Sequence, residues 1–246
     1  MTYTKSQNER GIAFGKNGVT VQIPTGSAVF ASVIPVIENF IEKATHAEEV
    51  MKPEAYPAQA LRLAAPLYSA ARKALENARN NARDVEALKS RAMTPPPAVA
   101  ESAKVYGAEI RSNFRKMSTA DQAAYLQKAT ALQLACILEQ DGALSGAHND
   151  ILDIAREQAL LVYHVEKSAL SAGFPNTPSL ERLVAVGTSY SDTQAAADIA
   201  MGNFKARLHS VADDEAILQH LVGFIATATS TSPQLALAGV MGAPDA

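Results

Sequence analysis

The chain holds one cysteine, no tryptophan and few aromatic residues, 6% of 246 positions. A lone Cys136 cannot close an intramolecular disulfide, which excludes a covalent scaffold and points to a reducing compartment. Its surroundings, Leu134-Ala135-Cys136-Ile137-Leu138, are apolar and keep a thiol protonated, so it is expected as packing and not as a nucleophile. No apolar run is long enough to span a bilayer: Ala28 to Ile37 ends at Glu38, and Leu221 to Val240 is interrupted by Thr-Ser-Thr-Ser-Pro. Met1 to Arg10 is polar and lacks the apolar centre of a secretory signal. Membrane insertion and signal-dependent secretion are therefore not expected, which makes the cytoplasm the simpler setting.

Catalytic signatures are missing as well. Neither Gly-x-Ser-x-Gly, His-Glu-x-x-His nor Cys-x-x-Cys occurs. Gly11-Ile-Ala-Phe-Gly15-Lys16 ends as a phosphate loop does, but three residues separate its glycines where four are needed, and Asn17 stands where Ser or Thr belongs. His209, Asp213 and His220 have spacings that one helical face could share, yet Ser210 falls as a helix boundary between the first and the others. His148, Asp150, Asp153 and Glu157 cluster where a helix begins, and acids in a first turn are what the helix dipole favours. No metal, no cofactor and no catalytic residue is expected, and the chain is expected not to be an enzyme.

What is present is alanine in register. The apolar share is 48%, enough for a sizeable core, and alanine gives up no side-chain entropy in a helix. Leu61, Ala64, Tyr68, Ala71, Leu75, Ala78, Ala82 and Val85 recur in alternating steps of three and four, continuing through Lys89 and Ala92. That seam predicts a long helix over about 58–92, with a possible fresh start at Pro66, pressed closely on other helices. Each alanine buries one methyl, about 0.8 kcal/mol, in exchange for near approach of backbones. These eight residues are the expected interaction surface.

One β element is expected, at residues 11–24. With Asn17-Gly18 as a two-residue turn, Lys16 pairs with Val19, Phe14 with Val21 and Ile12 with Ile23, so that the apolar side chains share a face. Further helices are expected at 27–46 with a kink at Pro35, at 98–116 on a stripe of Val99, Ala103, Tyr106, Ile110, Phe114 and Met117, and at 118–140 from a Ser118 cap. Others follow at 149–170, after a Thr177-Pro178 start, from a Ser191-x-x-Gln194 capping box to Leu208, and at 211–228. The expected class is mainly α: a multi-helix bundle with a long Ala-rich helix and a small N-terminal β-hairpin. Its expected segments are a hairpin arm at 1–26, a helical region at 27–94, a helical bundle at 95–230 and an irregular tail at 231–246. Thr94-Pro95-Pro96-Pro97 marks the hinge between the second and third.

Charge is unevenly spread. The net value is -3, yet residues 58–116 carry eleven Lys/Arg against five Asp/Glu, and residues 117–246 carry six against fourteen. Arg62, Arg72, Arg79, Arg83, Arg111 and Arg115 form a candidate nucleic-acid face. Glu76 and Glu86, three or four positions from Arg72, Arg79 and Arg83, compete for those charges, and no aromatics interleave with them.

Ala108-Glu-Ile-Arg111-Ser-Asn-Phe114-Arg115-Lys-Met117-Ser118, the helix to Glu139 and the turn Asp141-Gly-Ala-Leu144-Ser145-Gly146 resemble a module of uncharacterised helical proteins of proteobacterial phages and prophages. The resemblance spans about 40 residues and implies a phage context without supplying catalytic residues. Together these readings lead to a non-catalytic structural or assembly protein that meets copies of itself or other virion components, with nucleic-acid association as the alternative.

Overall fold

Alternation around Asn17-Gly18 builds the hairpin in the expected register. Strand β2 (Gly11–Lys16) pairs antiparallel with β3 (Val19–Ile23) through Lys16–Val19, Phe14–Val21 and Ile12–Ile23. Both turn residues have positive φ, 53° at Asn17 and 84° at Gly18, as a type I′ turn requires. Gly11 has φ 139°, and a Cβ there would strike the carbonyl of Ile23, so only glycine fits. The hairpin is extended to three strands by β1 (Tyr3–Asn8), which pairs along β2. This polar edge strand carries no alternation of its own, and β2 imposes its conformation.

The structure, a computed structural model, describes residues 3–168, 174, 175, 184 and 188–242. After the sheet come α1 (Ile34–Val50), α2 (Tyr56–Leu63), α3 (Ala65–Met93), α4 (Pro97–Arg115), α5 (Thr119–Leu126), α6 (Ala131–Ile137) and α7 (Asn149–Lys167). The two-residue strands β4 (Phe174–Pro175) and β5 (Thr188–Ser189) pair, then α8 (Tyr190–Thr229) and α9 (Pro233–Met241) follow. No helix among the described residues is long and apolar enough to cross a membrane. The expected mainly α class with a small N-terminal sheet is what the chain forms.

Several boundaries differ from the sequence reading for identifiable reasons. Residues 27–33 form turns, and α1 starts at Ile34 with Pro35 in its first turn, where a missing N–H costs nothing, so no kink arises. The expected 118–140 helix is three pieces. Ser118 does cap α5, accepting the Asp121 N–H at 3.2 Å, but Thr130 and Gln133 form a full capping box that restarts the chain as α6. A 3-10 turn then covers Glu139–Gly142, with Gln140 (φ 51°) and Asp141 (φ 56°) both left-handed. Two successive non-glycine residues in that region cost on the order of 1–2 kcal/mol each.

Ser210 does not end a helix, and α8 runs unbroken for 40 residues. Its start lies at Tyr190, with Ser189 Oγ accepting the Asp192 N–H at 3.3 Å, upstream of the expected Ser191 cap. The tail expected to be irregular holds α9, capped by Ser232, opened by Pro233 and closed by left-handed Gly242. The expected Thr177-Pro178 helix start lies outside the described residues.

The chain divides into two compact units. The first combines Met1–Asp84 with His209–Ala246, and its core gathers Phe14, Val21 and Ile23 of the sheet, Phe30, Ile37 and Phe40, Ala71 and Ala74 of α3, Leu221 and Phe224 of α8, and Val240 of α9. Lys16 is only 2% exposed within it. Its ammonium donates to the Tyr3 hydroxyl at 2.9 Å and the Tyr56 hydroxyl at 3.0 Å and lies over both rings, tying β2 to β1 and α2. Burial, then the hydrogen bond shared with the Tyr56 hydroxyl, pushes the Tyr3 hydroxyl well above the usual phenol range.

The second unit is Val85–Leu208. Phe114, Leu126, Leu134, Ile137, Leu152, Ala155 and Tyr163 form its core, where α4 packs on α6 and α7 packs on both α5 and α6. The inward face of α4 uses Ala103, Gly107 and Phe114, and Tyr106 of the expected stripe turns outward.

Candidate functional site

The seam is internal. The buried positions are Ala64, which closes α2, and then Leu67, Ala71, Ala74, Ala78, Val85 and Ala92 on α3, with Asn81 and Leu88 half-buried between them. Ala64, Ala71, Ala78 and Val85 stand where the heptad puts them. The alternate position falls one residue earlier than expected, at Leu67 and Ala74, so Tyr68, Leu75 and Ala82 lie on the flank and Leu61 is 44% exposed. Steps of three and four satisfy the period in either order, and the larger burial of Leu67 in the core selects between them. Tyr68 lies against Gly239 of α9, where a Cβ would meet its ring at 2.7 Å. Ala64 and Ala71 are thus occupied within the chain's own core.

The candidate basic face is divided and partly used. Arg62, Arg72, Arg79 and Arg83 belong to the first unit, Arg111 and Arg115 to the second. Arg72 donates to the carbonyls of Gly239 at 3.0 Å and Val240 at 3.3 Å, closing the C-terminal end of α9. Arg79 reaches Met241 Sδ at 3.4 Å. Arg111 is mostly enclosed, donating to the Cys136 carbonyl at 3.1 Å and pairing with Glu139. Arg115 donates to the carbonyl of Arg111 at 3.4 Å. Arg62 and Arg83 point to solvent without a hydrogen bond or ion pair among the described residues.

The unbroken α8 does carry His209, Asp213 and His220 together, all exposed. The two histidines are nonetheless eleven positions apart, about 16 Å along the axis, too far for one ion. No group of three or more His, Cys, Asp or Glu among the described residues can hold a metal. His148 Nδ1 accepts the Asp150 N–H at 3.5 Å as the cap of α7, and Asp153 pairs with Arg156 at 2.6 Å. Cys136 is buried, and burial raises its thiol pKa.

The surface feature that sequence reasoning missed is on α4. Val105 is 74% exposed and Tyr106 is 53% exposed. Tyr106 opens a groove of 470 Å³ whose other walls include Ile110, Met117, Tyr125 and Leu132. Tyr125 is held by the Phe114 ring at 5.8 Å, and its hydroxyl pKa is raised by burial first and by Cys136 second. The signal available in the sequence was Gly107: with glycine taking the inward place, Tyr106 is released to the rim.

Fold and surface together define a mainly helical chain of two units with a three-stranded antiparallel sheet in the first. It matches no known family model, and no curated protein or solved structure is significantly similar to it.

Proposed function

We propose that this chain is a non-catalytic structural or assembly protein that works by contact with a second copy of itself, in a phage or virion setting. The phage setting rests on the resemblance over residues 108–146. The observation that carries the contact reading is the exposed Val105-Tyr106 pair beside the groove of Ile110, Met117, Tyr125 and Leu132. An apolar step of this kind on a polar helix costs solubility unless something covers it. The alanine seam, by contrast, is used inside the fold at Ala64 and Ala71.

Size-exclusion chromatography with light scattering tests this on the full chain. The expected result is a mass of at least two copies that falls to one on Val105→Asp/Tyr106→Ala, with unchanged circular dichroism. A strict monomer at every concentration would remove the reading. Salt-sensitive retention of that monomer on DNA, lost on Arg62→Glu/Arg83→Glu, would favour nucleic-acid association instead.

A further inference from the structure

The second unit contains a cleft of 410 Å³, within the size range of small-molecule sites, between the start of α4, the α6 end and α7. Ala100, Ala103, Ala135 and Leu138 supply an apolar wall, and the short alanine side chains leave the space open. Tyr163 also lines it and is 1% exposed.

The Tyr163 hydroxyl makes no hydrogen bond to any described residue. Among the described residues no fully enclosed side-chain oxygen or nitrogen is left without a partner, so the small exposed part of this side chain includes its hydroxyl, at the cleft that Tyr163 lines. Burial first, then the nearby Cys136 thiol, raises its pKa and keeps the proton in place. A neutral phenol packed in the core with an unused O–H at a cavity surface is a preformed donor for something that enters.

The charged side chains around the cleft are already answered by others. Lys104 pairs with Glu101 at 3.2 Å, Arg156 pairs with Asp153 at 2.6 Å, and Glu139 pairs with Arg111. Asp141 is exposed, and an exposed carboxylate in water attracts a cation only weakly. An ionised ligand would therefore lose hydration against the apolar wall without gaining a buried counter-charge. An uncharged one escapes that cost. What the wall and the phenol together lack is hydrocarbon on one side and a hydrogen-bond acceptor on the other. A carbonyl oxygen fits the second need, because it accepts a proton without bringing one of its own that would need a partner.

We propose that this cleft binds a small uncharged carbonyl compound, mostly hydrocarbon, of the ketone or ester class. Its hydrocarbon lies on Ala100, Ala103, Ala135 and Leu138, and the Tyr163 hydroxyl donates to its carbonyl oxygen.

Ligand-observed NMR titration of the full chain with 4-methylcyclohexanone and 5-methyl-2-hexanone, and with the ions 4-methylcyclohexanecarboxylate and 4-methylcyclohexylammonium, tests the proposal. Saturable binding of at least one ketone is expected, with each ion about tenfold weaker or more because it must shed its hydration. Tyr163→Phe removes a hydroxyl with no protein partner, so it folds as the wild type and binds the ketone about 3- to 10-fold more weakly, the worth of one hydrogen bond. Ala100→Leu, at a half-buried position on the wall, fills the space and abolishes saturable binding with unchanged circular dichroism. No saturable binding by either ketone, equal binding of an ion, or undiminished binding by Tyr163→Phe or by folded Ala100→Leu would each overturn it.

Discussion

Asn81 of α3 donates one amide to the Asp214 carboxylate of α8 at 2.8 Å and to Ser210 Oγ at 3.1 Å. It occupies a seam position between Ala78 and Val85, and Asp214 is only 7% exposed. A polar pair in an apolar seam fixes which residues face each other, because any slip strands a buried carboxylate. Asn81→Leu should cost about 1.5–3 kcal/mol, the range for a hydrogen bond to a charged group. Urea denaturation measures it. Asn81→Leu/Asp214→Leu should recover most of that loss and, by relaxing the register, broaden the transition.

Ala71 is fully buried and Leu61 is not. Ala71→Leu inserts three carbons where backbones are close and should destabilise by about 1–3 kcal/mol. Leu61→Ala should fall within about 0.5 kcal/mol of wild type. Thermal unfolding of the two variants distinguishes this placement of the seam from the one the sequence suggested, in which both would matter.

The buried Lys16 ammonium depends on two phenols. Tyr56→Phe removes one acceptor and should cost about 1.5–3 kcal/mol. The raised pKa of Tyr3 has a sign: the folded state keeps its proton where the unfolded chain releases it, near pH 10. Stability from this group is therefore full below pH 10 and declines as pH rises above it. Denaturation titrated from pH 8 to 11 should show that decline, and Tyr3→Phe should flatten it.

On the acid side the group to follow is His164, whose ring stacks on Phe204 with centroids 4.2 Å apart and planes at 10°. Burial first, then nearby Lys167, lowers its pKa. A lowered imidazole pKa gives stability that is present above the unfolded value near 6.5 and lost as pH falls through the folded one. His164→Leu should remove this acid dependence, seen as overlapping denaturation curves at pH 7 and pH 5.

The hairpin was legible to the residue because period-two alternation and Asn-Gly specify the same register. The heptad gave α3 but left the order of its steps open, since Ala64 and Ala71 serve either order and only the packing of Leu67 decides. Strand β1 carries no pattern of its own, so it was invisible. Thr130-x-x-Gln133 and Ser232-Pro233 were capping signals present in the sequence, masked by apolar runs that suggested continuity or irregularity. The α4 groove depends on which side chains are left at a surface after packing, a property no local spacing encodes.

The first unit is assembled from two stretches that synthesis separates by 124 residues, Val85 to Leu208. During translation Phe14, Ile37 and Ala71 leave the ribosome long before Leu221, Phe224 and Val240, with which they share a core. The second unit is contiguous and can close first, whereas the first waits with a half-covered apolar surface until His209–Ala246 emerges. A nascent chain halted before Leu221 should therefore engage holding chaperones through its N-terminal portion.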